Sequence, residues 1–181
     1  MILSYLYKKG EFNPLLENTF APALCHRIDR NTSGLVIAAK NAKALRFFNE
    51  KIRLREIKKI YFLKIEGTLP QNEGIIEGYI KKDTTLNKVI FSKQETPGSK
   101  KAITAYRKTE NGVEAELLTG RTHQIRASFA YIGCPIVGDV KYGAKKNRQK
   151  DYQHLRAKKL IFEFKDSGDF AYLSGKQFEV K

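Results

Sequence analysis

The spacing of apolar positions along the chain predicts three helices. Residues 1–9 and 41–55 carry apolar side chains at intervals of three and four, which is the period of a half-buried helix. Asn41 is a suitable N-cap for the second of these helices. A third helix is predicted after Thr122, its candidate cap, with a buried stripe that consists of Ile125, Phe129 and Ile132. Each helix therefore needs an apolar surface to pack against.

Apolar runs bounded by turn residues predict that this surface is a sheet. The continuous run at residues 35–39 is typical of a buried strand, and alternation over residues 60–67 places Tyr61, Leu63 and Ile65 on one side. Further strands are predicted at residues 74–80, 88–92, 102–108, 113–118 and 160–164. Short connections between successive strands favour antiparallel pairing. The pattern predicts an α+β fold with a mixed, mostly antiparallel central sheet and helices on its faces.

The chain is strongly basic. Its 181 residues include 34 Lys and Arg against 19 Asp and Glu, a net charge of +15. Such a surplus contributes to solubility, but in a small chain it favours contact with nucleic acid or an anionic membrane. The apolar runs are too short to span a membrane, and no signal-peptide pattern opens the sequence. We expect a cytoplasmic protein of one domain, without membrane contact.

One face of the predicted helix at residues 41–55 is rich in basic side chains. These are Lys43, Arg46, Lys51, Arg53 and Arg55. A solvated helix face usually mixes the two signs of charge more evenly. Contact with phosphate groups and ordinary solvation are therefore equally supported for this face.

Cysteine and histidine spacing indicates no metal site. Cys25 and Cys134 lie far apart with no CxxC pair, and His26, His123 and His154 lack the spacing of metal ligands. A histidine such as His123 at a helix start is more often a structural hydrogen-bonding group. Walker-type and dinucleotide-binding glycine patterns are also absent from the sequence. We expect no metal, no cofactor and no disulfide.

The stretch at residues 24–40 places a carboxylate between two cations, directly before an apolar run. Asp29 lies between Arg27 and Arg30 in a loop-like context. A carboxylate held there loses hydration and needs a cation to remain ionised. On this stretch alone, a turn residue or a cap is the more common role for a loop aspartate. Tyr61, taken alone, is a core residue whose hydroxyl group needs a partner.

Three segments together resemble the RluA-type family of RNA pseudouridine synthases. They are HRIDRNTSG at residues 26–34, KKIYFLKIEG at residues 58–67 and GRTHQIR at residues 120–126. Their order and approximate spacing match that family, and the resemblance extends over nearly the whole chain. It implies the pseudouridine synthase fold and the isomerisation of specific uridines to pseudouridine in structured RNA, without a cofactor.

The resemblance also implies roles for single residues. Asp29 matches the essential carboxylate, and Arg121 matches the cation that pairs with it. Tyr61 matches a residue that stacks on the uracil or serves in proton transfer from C5, and Arg27 matches a residue that enters the space left by the flipped base. Further RNA contacts are expected from Arg30, His123 and Arg126.

The chemistry implied by the resemblance needs an anionic carboxylate near the sugar. The bond between N1 and C1′ breaks, the uracil turns, C5 bonds to C1′, and the C5 proton leaves. The carboxylate either attacks C1′ or removes the C2′ proton to form a glycal, and the sequence leaves both routes open. The target base must also leave its stack, which costs about a few kcal/mol.

Two departures from the family concern the ends of the chain and one tripeptide. Family members usually carry an amino-terminal strand pair with a Lys-Pro-x-Gly motif, often after an S4-type RNA-binding domain. We expect residues 1–181 to form one catalytic domain that lacks both. We also expect its carboxyl end to be short, because relatives usually continue into a terminal helix after the position of Gly175. The family commonly has Leu-His-Ala where this chain has Leu155-Arg156-Ala157, so we assign Arg156 no role. The basic segment at residues 143–156 is predicted to be a flexible loop that can contact RNA.

Two other function classes remain open. A non-catalytic RNA-binding or RNA-folding module would need the basic surface but not Asp29. Hydrolysis of a glycosidic bond by paired carboxylates is less well supported, because no second acidic residue accompanies Asp29 in the three segments. The resemblance favours 23S ribosomal RNA over transfer RNA as the partner, and we expect a monomer.

Overall fold

The computed structural model describes residues 2–16, 19–146, 152–166 and 168–180. Within these residues the helices are α1 (Ile2–Lys8), α2 (Ala42–Arg53) and α3 (Gln124–Tyr131), with 3-10 turns at Val140–Tyr142 and Gly168–Leu173. The strands are β1 (Ala23–Leu24), β2 (Ser33–Gly34), β3 (Ala38–Ala39), β4 (Ile57–Leu63), β5 (Glu73–Asp83), β6 (Lys88–Ser92), β7 (Lys100–Thr109), β8 (Gly112–Leu117), β9 (Leu155–Phe162) and β10 (Gln177–Glu179). The predicted helices are thus present. Of the loop predicted at residues 143–156, residues 147–151 lie outside the described residues.

One eight-stranded sheet organises the chain. Its order is β10-β9-β4-β8-β7-β5-β6, and β2 pairs with β9 off this path. All of these pairs are antiparallel except β2 with β9, which is parallel. The prediction of an α+β fold with a mixed, mostly antiparallel sheet is confirmed.

The apolar run at residues 35–39 differs from the continuous strand predicted for it. Leu35 donates its backbone N–H to the carbonyl of Ala157 on β9, whereas the carbonyl of Ile37 accepts from the N–H of Cys25 beside β1. The run therefore changes strand partner part-way along, and only its last two residues form a strand. An apolar run is compatible with pairing to either strand, so the sequence pattern does not reveal the change of partner.

Two apolar clusters lie on one face of the sheet, at different ends of β4. Because side chains alternate along a strand, Ile57, Lys59, Tyr61 and Leu63 share this face. Ile57 belongs to the cluster under α2, while Tyr61 and Leu63 belong to the cluster under α3. Lys59 therefore lies between the two clusters, where the sheet is not covered by a helix.

Helix α2 packs as predicted but buries one of its basic residues. The side chain of Asn41 caps the helix by accepting from the N–H of Ala44 at 2.8 Å. Lys51 is buried and donates to Glu56 at 2.8 Å and to Asp166. The prediction that Lys51 belongs to an exposed basic face is wrong, because its side chain is buried and its charge is compensated by the buried Glu56 and the exposed Asp166. No helix of the described residues is long and apolar enough to cross a membrane.

A close backbone approach at Gly34 joins β2 to β9. Gly34 has a φ of 111°, and a Cβ atom at this position would lie 2.1 Å from the carbonyl oxygen of Ala157. Both the left-handed φ and the lack of space favour glycine. The loop that precedes Gly34, which carries Asp29, is therefore anchored to the sheet by a contact that admits no side chain.

We predict that Gly34→Ala lowers the free energy of unfolding by about 2 kcal/mol or more, because strain and steric overlap act together. The matched control is Gly10→Ala, where φ is 69° and no atom lies within 4 Å of the added Cβ. That control should cost only about 1 kcal/mol, from the left-handed conformation alone. Urea unfolding of both variants checks this. Equal destabilisation would show that the contact with Ala157 relaxes freely.

Candidate active site

A cleft of about 740 Å³ opens over the sheet between the two apolar clusters. Its walls come from the loop that carries Asp29, the end of α2, strands β4 and β8, and the segment that leads into α3. Six of the lining residues are basic and two are acidic. The basic residues are Arg27, Arg53, Arg55, Lys58, Lys59 and Arg121, and the acidic residues are Asp29 and Glu116. The cleft is therefore suited to an anionic ligand.

The loop that carries Asp29 is held by hydrogen bonds at both ends of a tight turn. The N–H of Thr32 donates to the carbonyl of Asp29 at 3.0 Å, and Asn31 takes up a φ of 70° within the turn, a conformation that asparagine tolerates well. Gln153 donates its side-chain amide to the carbonyl of Arg30 at 2.7 Å and to the Thr32 hydroxyl at 3.3 Å. The carboxylate of Asp29, whose side chain is 20% exposed, thus has a fixed backbone beneath it.

Arg126 provides the cation that Asp29 needs. Its Nη1 lies 3.7 Å from Oδ2 of Asp29, and its side chain is only 8% exposed. Asp139 binds the same guanidinium group in a bidentate manner, at 2.7 Å from Nε and 2.8 Å from Nη2. Burial lowers the pKa of Arg126, but the hydrogen bond and the charge of Asp139 outweigh this effect and raise it. Arg126 therefore remains charged and is oriented by Asp139.

The predicted pairing of Asp29 with Arg121 is wrong. Arg121 is exposed at the edge of the cleft and donates its Nε to the carbonyl of Lys101 at 3.0 Å. Helix α3 begins at Gln124, so Arg126 lies in its first turn and points into the protein. The expected RNA contact of Arg126 stays a prediction, and its side chain is buried beside Asp29 and Asp139.

An aromatic ring supports the guanidinium group from its face. Arg126 lies 4.9 Å from the ring centroid of Tyr142, a cation–π contact. The Tyr142 hydroxyl accepts from the N–H of Val89 at 3.1 Å and shares a hydrogen bond with Nδ1 of His123 at 2.9 Å. Burial lowers the pKa of His123, although the charge of Asp29 opposes this shift. His123 thus has the structural hydrogen-bonding role considered for it, and it also lines the cleft.

The segment that leads into α3 is organised by Gln124 rather than by a side-chain cap. Its Oε1 accepts from the Thr119 hydroxyl at 2.7 Å, and its Nε2 donates to the carbonyl of Ile103 at 2.9 Å. His123 occupies the N-cap position with a φ of 51° and makes no side-chain cap hydrogen bond. The prediction that Thr122 caps this helix is therefore wrong, because the glutamine network ties the loop to β7 instead.

Tyr61 lines the cleft and also packs in the cluster under α3. Burial raises the pKa of Tyr61 to about 12, and the negative charge of Asp29 contributes to this shift. The phenol is consequently protonated at neutral pH. The structure brings Tyr61 and Asp29 into one cleft, as the resemblance requires, and Tyr61 is a core residue at the same time.

The remaining predicted RNA contacts lie near this cleft. Arg27 is exposed and lines it, whereas Arg30 is exposed but is not part of its lining. Their contacts with RNA, and that of His123, stay predictions. Within the described ranges, no group of His, Cys, Asp and Glu is arranged to hold a metal ion.

The ring of His26 connects the Asp29 loop to the residues that follow it. Its Nε2 accepts from the N–H of Ile37 at 3.2 Å. Burial lowers the pKa of His26 to about 4, and the positive charge of Lys59 contributes. The ring is therefore neutral at neutral pH, and its protonation would remove the acceptor that Ile37 uses.

Comparison with known families gives this geometry a chemical context. A family model described as RNA pseudouridylate synthase matches residues 4–131, which include Asp29, Tyr61 and Arg126. This chain belongs to the RNA pseudouridylate synthase family. The resemblance noted in the three sequence segments is thereby confirmed.

Individual relatives agree with the family. The chain is 39% identical over 132 residues to ribosomal large subunit pseudouridine synthase D of Borreliella burgdorferi, covering 70% of this chain and 40% of the relative. It is 34% identical over 179 residues to an uncharacterized RNA pseudouridine synthase of Mycoplasma genitalium, covering 93% and 54%. The chain thus spans about half the length of the curated relatives it matches. The interpretation of residues 1–181 as one catalytic domain that lacks the usual amino-terminal strands and S4-type domain stays a prediction.

The fold of this RNA pseudouridylate synthase family member is also found in solved structures. The structure of human RNA pseudouridylate synthase domain containing 1 superposes with a TM-score of 0.71 at 24% identity, covering 88% of this chain and 68% of that one. At this identity the likeness supports the fold alone.

Three residues of the site are absent from the sequence predictions. They are Asp139, Tyr142 and Gln153, which bind or support Arg126 and the Asp29 loop. Asp139 and Tyr142 lie in a segment bounded by Gly138 and Gly143 that shows no periodicity, and Gln153 lies just before β9. The sequence contains one signal for Asp139 and Tyr142. It is the presence of an acidic residue and a tyrosine in a glycine-bounded segment close to the third family motif.

We predict that His26 makes the stability of this protein depend on pH below neutrality. Its pKa falls from 6.5 in the unfolded chain to about 4 in the fold. The unfolded chain therefore binds the proton first, and stability that is fully present above pH 6.5 is lost as pH falls towards 4, by up to about 3 kcal/mol. His26→Gln, which keeps an acceptor for Ile37, should lose less stability between pH 7 and 4.5.

The control for this prediction is His154→Gln, which alters an exposed histidine. Urea unfolding at several pH values gives the free energy of unfolding of wild type and both variants. The carboxylates contribute equally to the pH dependence of all three proteins. If wild type and His26→Gln show the same pH dependence, the pKa of His26 does not differ between the folded and the unfolded protein.

Proposed function

We propose that this protein isomerises specific uridines to pseudouridine in structured RNA. The observation that carries the proposal is that Asp29 and Tyr61 line one basic cleft, with the buried Arg126 beside Asp29, in a chain that belongs to the RNA pseudouridylate synthase family. Asp29 is the essential carboxylate. Arg126 takes the role that the sequence alone suggested for Arg121, because its guanidinium group lies beside Asp29.

The charge balance of the site suits a reaction at C1′. Arg126 is shared between Asp139 and Asp29, so the three groups together carry one net negative charge. The guanidinium group stabilises the negative charge of Asp29, while Asp139 keeps this charge from being fully cancelled. Positive charge that develops on the sugar as the bond between N1 and C1′ breaks would be stabilised by this carboxylate. Attack on C1′ and removal of the C2′ proton both begin from the same ionised Asp29.

Tyr61 contacts the uracil from the floor of the cleft. Because its pKa is about 12, the phenol carries its proton at neutral pH. Stacking on the base or donation of a proton is therefore better supported than removal of the C5 proton by a phenolate. Its fixed position in the cluster under α3 would hold a flipped base close to Asp29.

The RNA substrate is proposed from charge and from the relatives. Exposed Arg27 at the edge of the cleft would enter the space that the flipped base leaves, and Arg30 and His123 would contact the surrounding RNA. Relatives named for the ribosomal large subunit favour 23S ribosomal RNA, with transfer RNA as the alternative. The cytoplasmic location and the monomeric state stay expectations.

We predict that Asp29→Asn abolishes catalysis while RNA binding persists. The substitution keeps the shape of the side chain but removes the charge that the reaction needs, so activity should fall at least about 1000-fold. The measurement is tritium release from C5-labelled uridine in ribosomal and transfer RNA transcripts, together with the affinity for the same transcripts. Activity that survives in Asp29→Asn would favour a non-catalytic RNA-binding or RNA-folding module with a contaminating synthase.

We predict that Arg126→Gln and Arg121→Gln differ strongly in their effect on turnover. Arg126→Gln removes the buried partner of two carboxylates, so kcat should fall about 100-fold or more and the fold should lose about 3 kcal/mol or more. Arg121→Gln removes an exposed cation and should mainly raise KM. Single-turnover tritium release with both variants distinguishes these effects. A larger loss of kcat in Arg121→Gln would restore the pairing suggested by the sequence alone.

A further inference from the structure

Lys59 is a partly buried cation on the floor of the cleft. It shares the inner face of β4 with Tyr61 and Ile57, between the two apolar clusters. Burial lowers the pKa of Lys59. Its positive charge also contributes to the lowered pKa of His26, which places the two side chains near each other. The ammonium group is therefore inside the cleft rather than at its outer edge.

Unlike neighbouring lysines, Lys59 forms no ion pair with any residue that the structure describes. Lys58, the preceding residue, pairs with Glu163 at 2.9 Å, and Lys158 on β9 pairs with Glu114 at 2.8 Å. Asp29, the acidic residue that lines the same cleft, is paired with Arg126 and not with Lys59. A partly desolvated cation without a counter-charge is unfavourable, and an anionic ligand would relieve this cost.

The space beside Lys59 is open to such a ligand. Gly120 is exposed, and a Cβ atom built on it would lie 3.9 Å from Nζ of Lys59, so no side chain covers the ammonium group there. The next residue, Arg121, is held by one hydrogen bond from its Nε to Lys101. The terminal nitrogens of Arg121 make no hydrogen bond with the described part of the chain and remain available to a ligand.

We propose that Lys59, whose Nζ lies beside Gly120, and Arg121, the residue that follows Gly120, bind a backbone phosphate of the RNA inside the cleft. This subsite rests on the proposed function, because the phosphate would enter with the nucleotide that leaves its stack. A phosphate carries a full negative charge, and its oxygens accept from both an ammonium and a guanidinium group. The subsite would place the sugar of the target nucleotide relative to Asp29 without contacting the base.

The test is the salt dependence of RNA binding, since each phosphate contact that is lost reduces the slope of log Kd against log salt by about 0.7 to 0.9. Fluorescence anisotropy with one ribosomal RNA transcript compares wild type with Lys59→Gln, Lys59→Arg and Lys64→Gln. Lys64 is an exposed lysine that follows β4 and does not line the cleft, so its loss removes the same charge elsewhere. We expect the slope to fall by the contribution of about one phosphate contact in Lys59→Gln, and in no other variant of this set.

Lys59→Arg retains the charge and should keep the wild-type slope. A Lys59→Gln slope equal to that of wild type, or an equal fall in Lys64→Gln, overturns the proposal. Tritium release from the same transcript keeps the two proposals separate. Activity that depends on Asp29 but an unchanged slope in Lys59→Gln would reject the subsite alone, whereas a changed slope without activity in any variant would reject the proposed function alone.

A second pair of variants covers the case in which Lys59→Gln fails to fold. Gly120→Asp places a carboxylate beside the ammonium group, and Gly120→Asn places a neutral group of the same size there. The carboxylate should occupy the subsite from within the chain, so Gly120→Asp should weaken RNA binding about tenfold relative to Gly120→Asn and reduce the slope. Identical behaviour of the two variants would contradict the proposal.

Discussion

The buried guanidinium group of Arg126 is the interaction on which the site depends. A cation with so little exposure is stable only if carboxylates and hydrogen bonds replace the water it has lost. Asp139 supplies this compensation through two short hydrogen bonds, and Tyr142 supports the planar group from its face. Asp29 makes a second, longer contact with Arg126, whose position Asp139 and Tyr142 already fix. Asp29 therefore shares a cation whose charge Asp139 already compensates in part.

The geometry around Arg126 requires several distant segments to be in place together. Asp139 follows α3, while the turn at Asp29 is tied to the segment before β9 through Gln153. Gly34 allows the same loop to lie directly against β9. These contacts join segments that are far apart in sequence, so the position of the carboxylate depends on the fold as a whole.

Cations in and around the cleft fall into two groups by their partners. Arg126 and Lys51 are buried and have carboxylates beside them, so they stabilise the fold. Lys59 and Arg121 line the cleft without a carboxylate partner among the described residues, so their charge is directed towards what enters it. Net charge alone does not separate these groups. The distinction depends on which cations the fold has already neutralised.

Much of the fold was predictable from the sequence because helix periods, strand alternation and turn residues act over a few neighbouring positions. The antiparallel strands from β5 to β8, the Asn41 cap and the three family segments could all be recognised in this way. The choice between Arg121 and Arg126 could not, since both lie near the start of α3 and only the packing of that helix decides which one points inwards. Asp139, Tyr142 and Gln153 were equally hidden, because their partners lie in other elements. Local patterns along the chain thus identify the elements and the family, whereas the pairing of charges follows only from the folded structure, because it depends on burial and on contacts between distant segments.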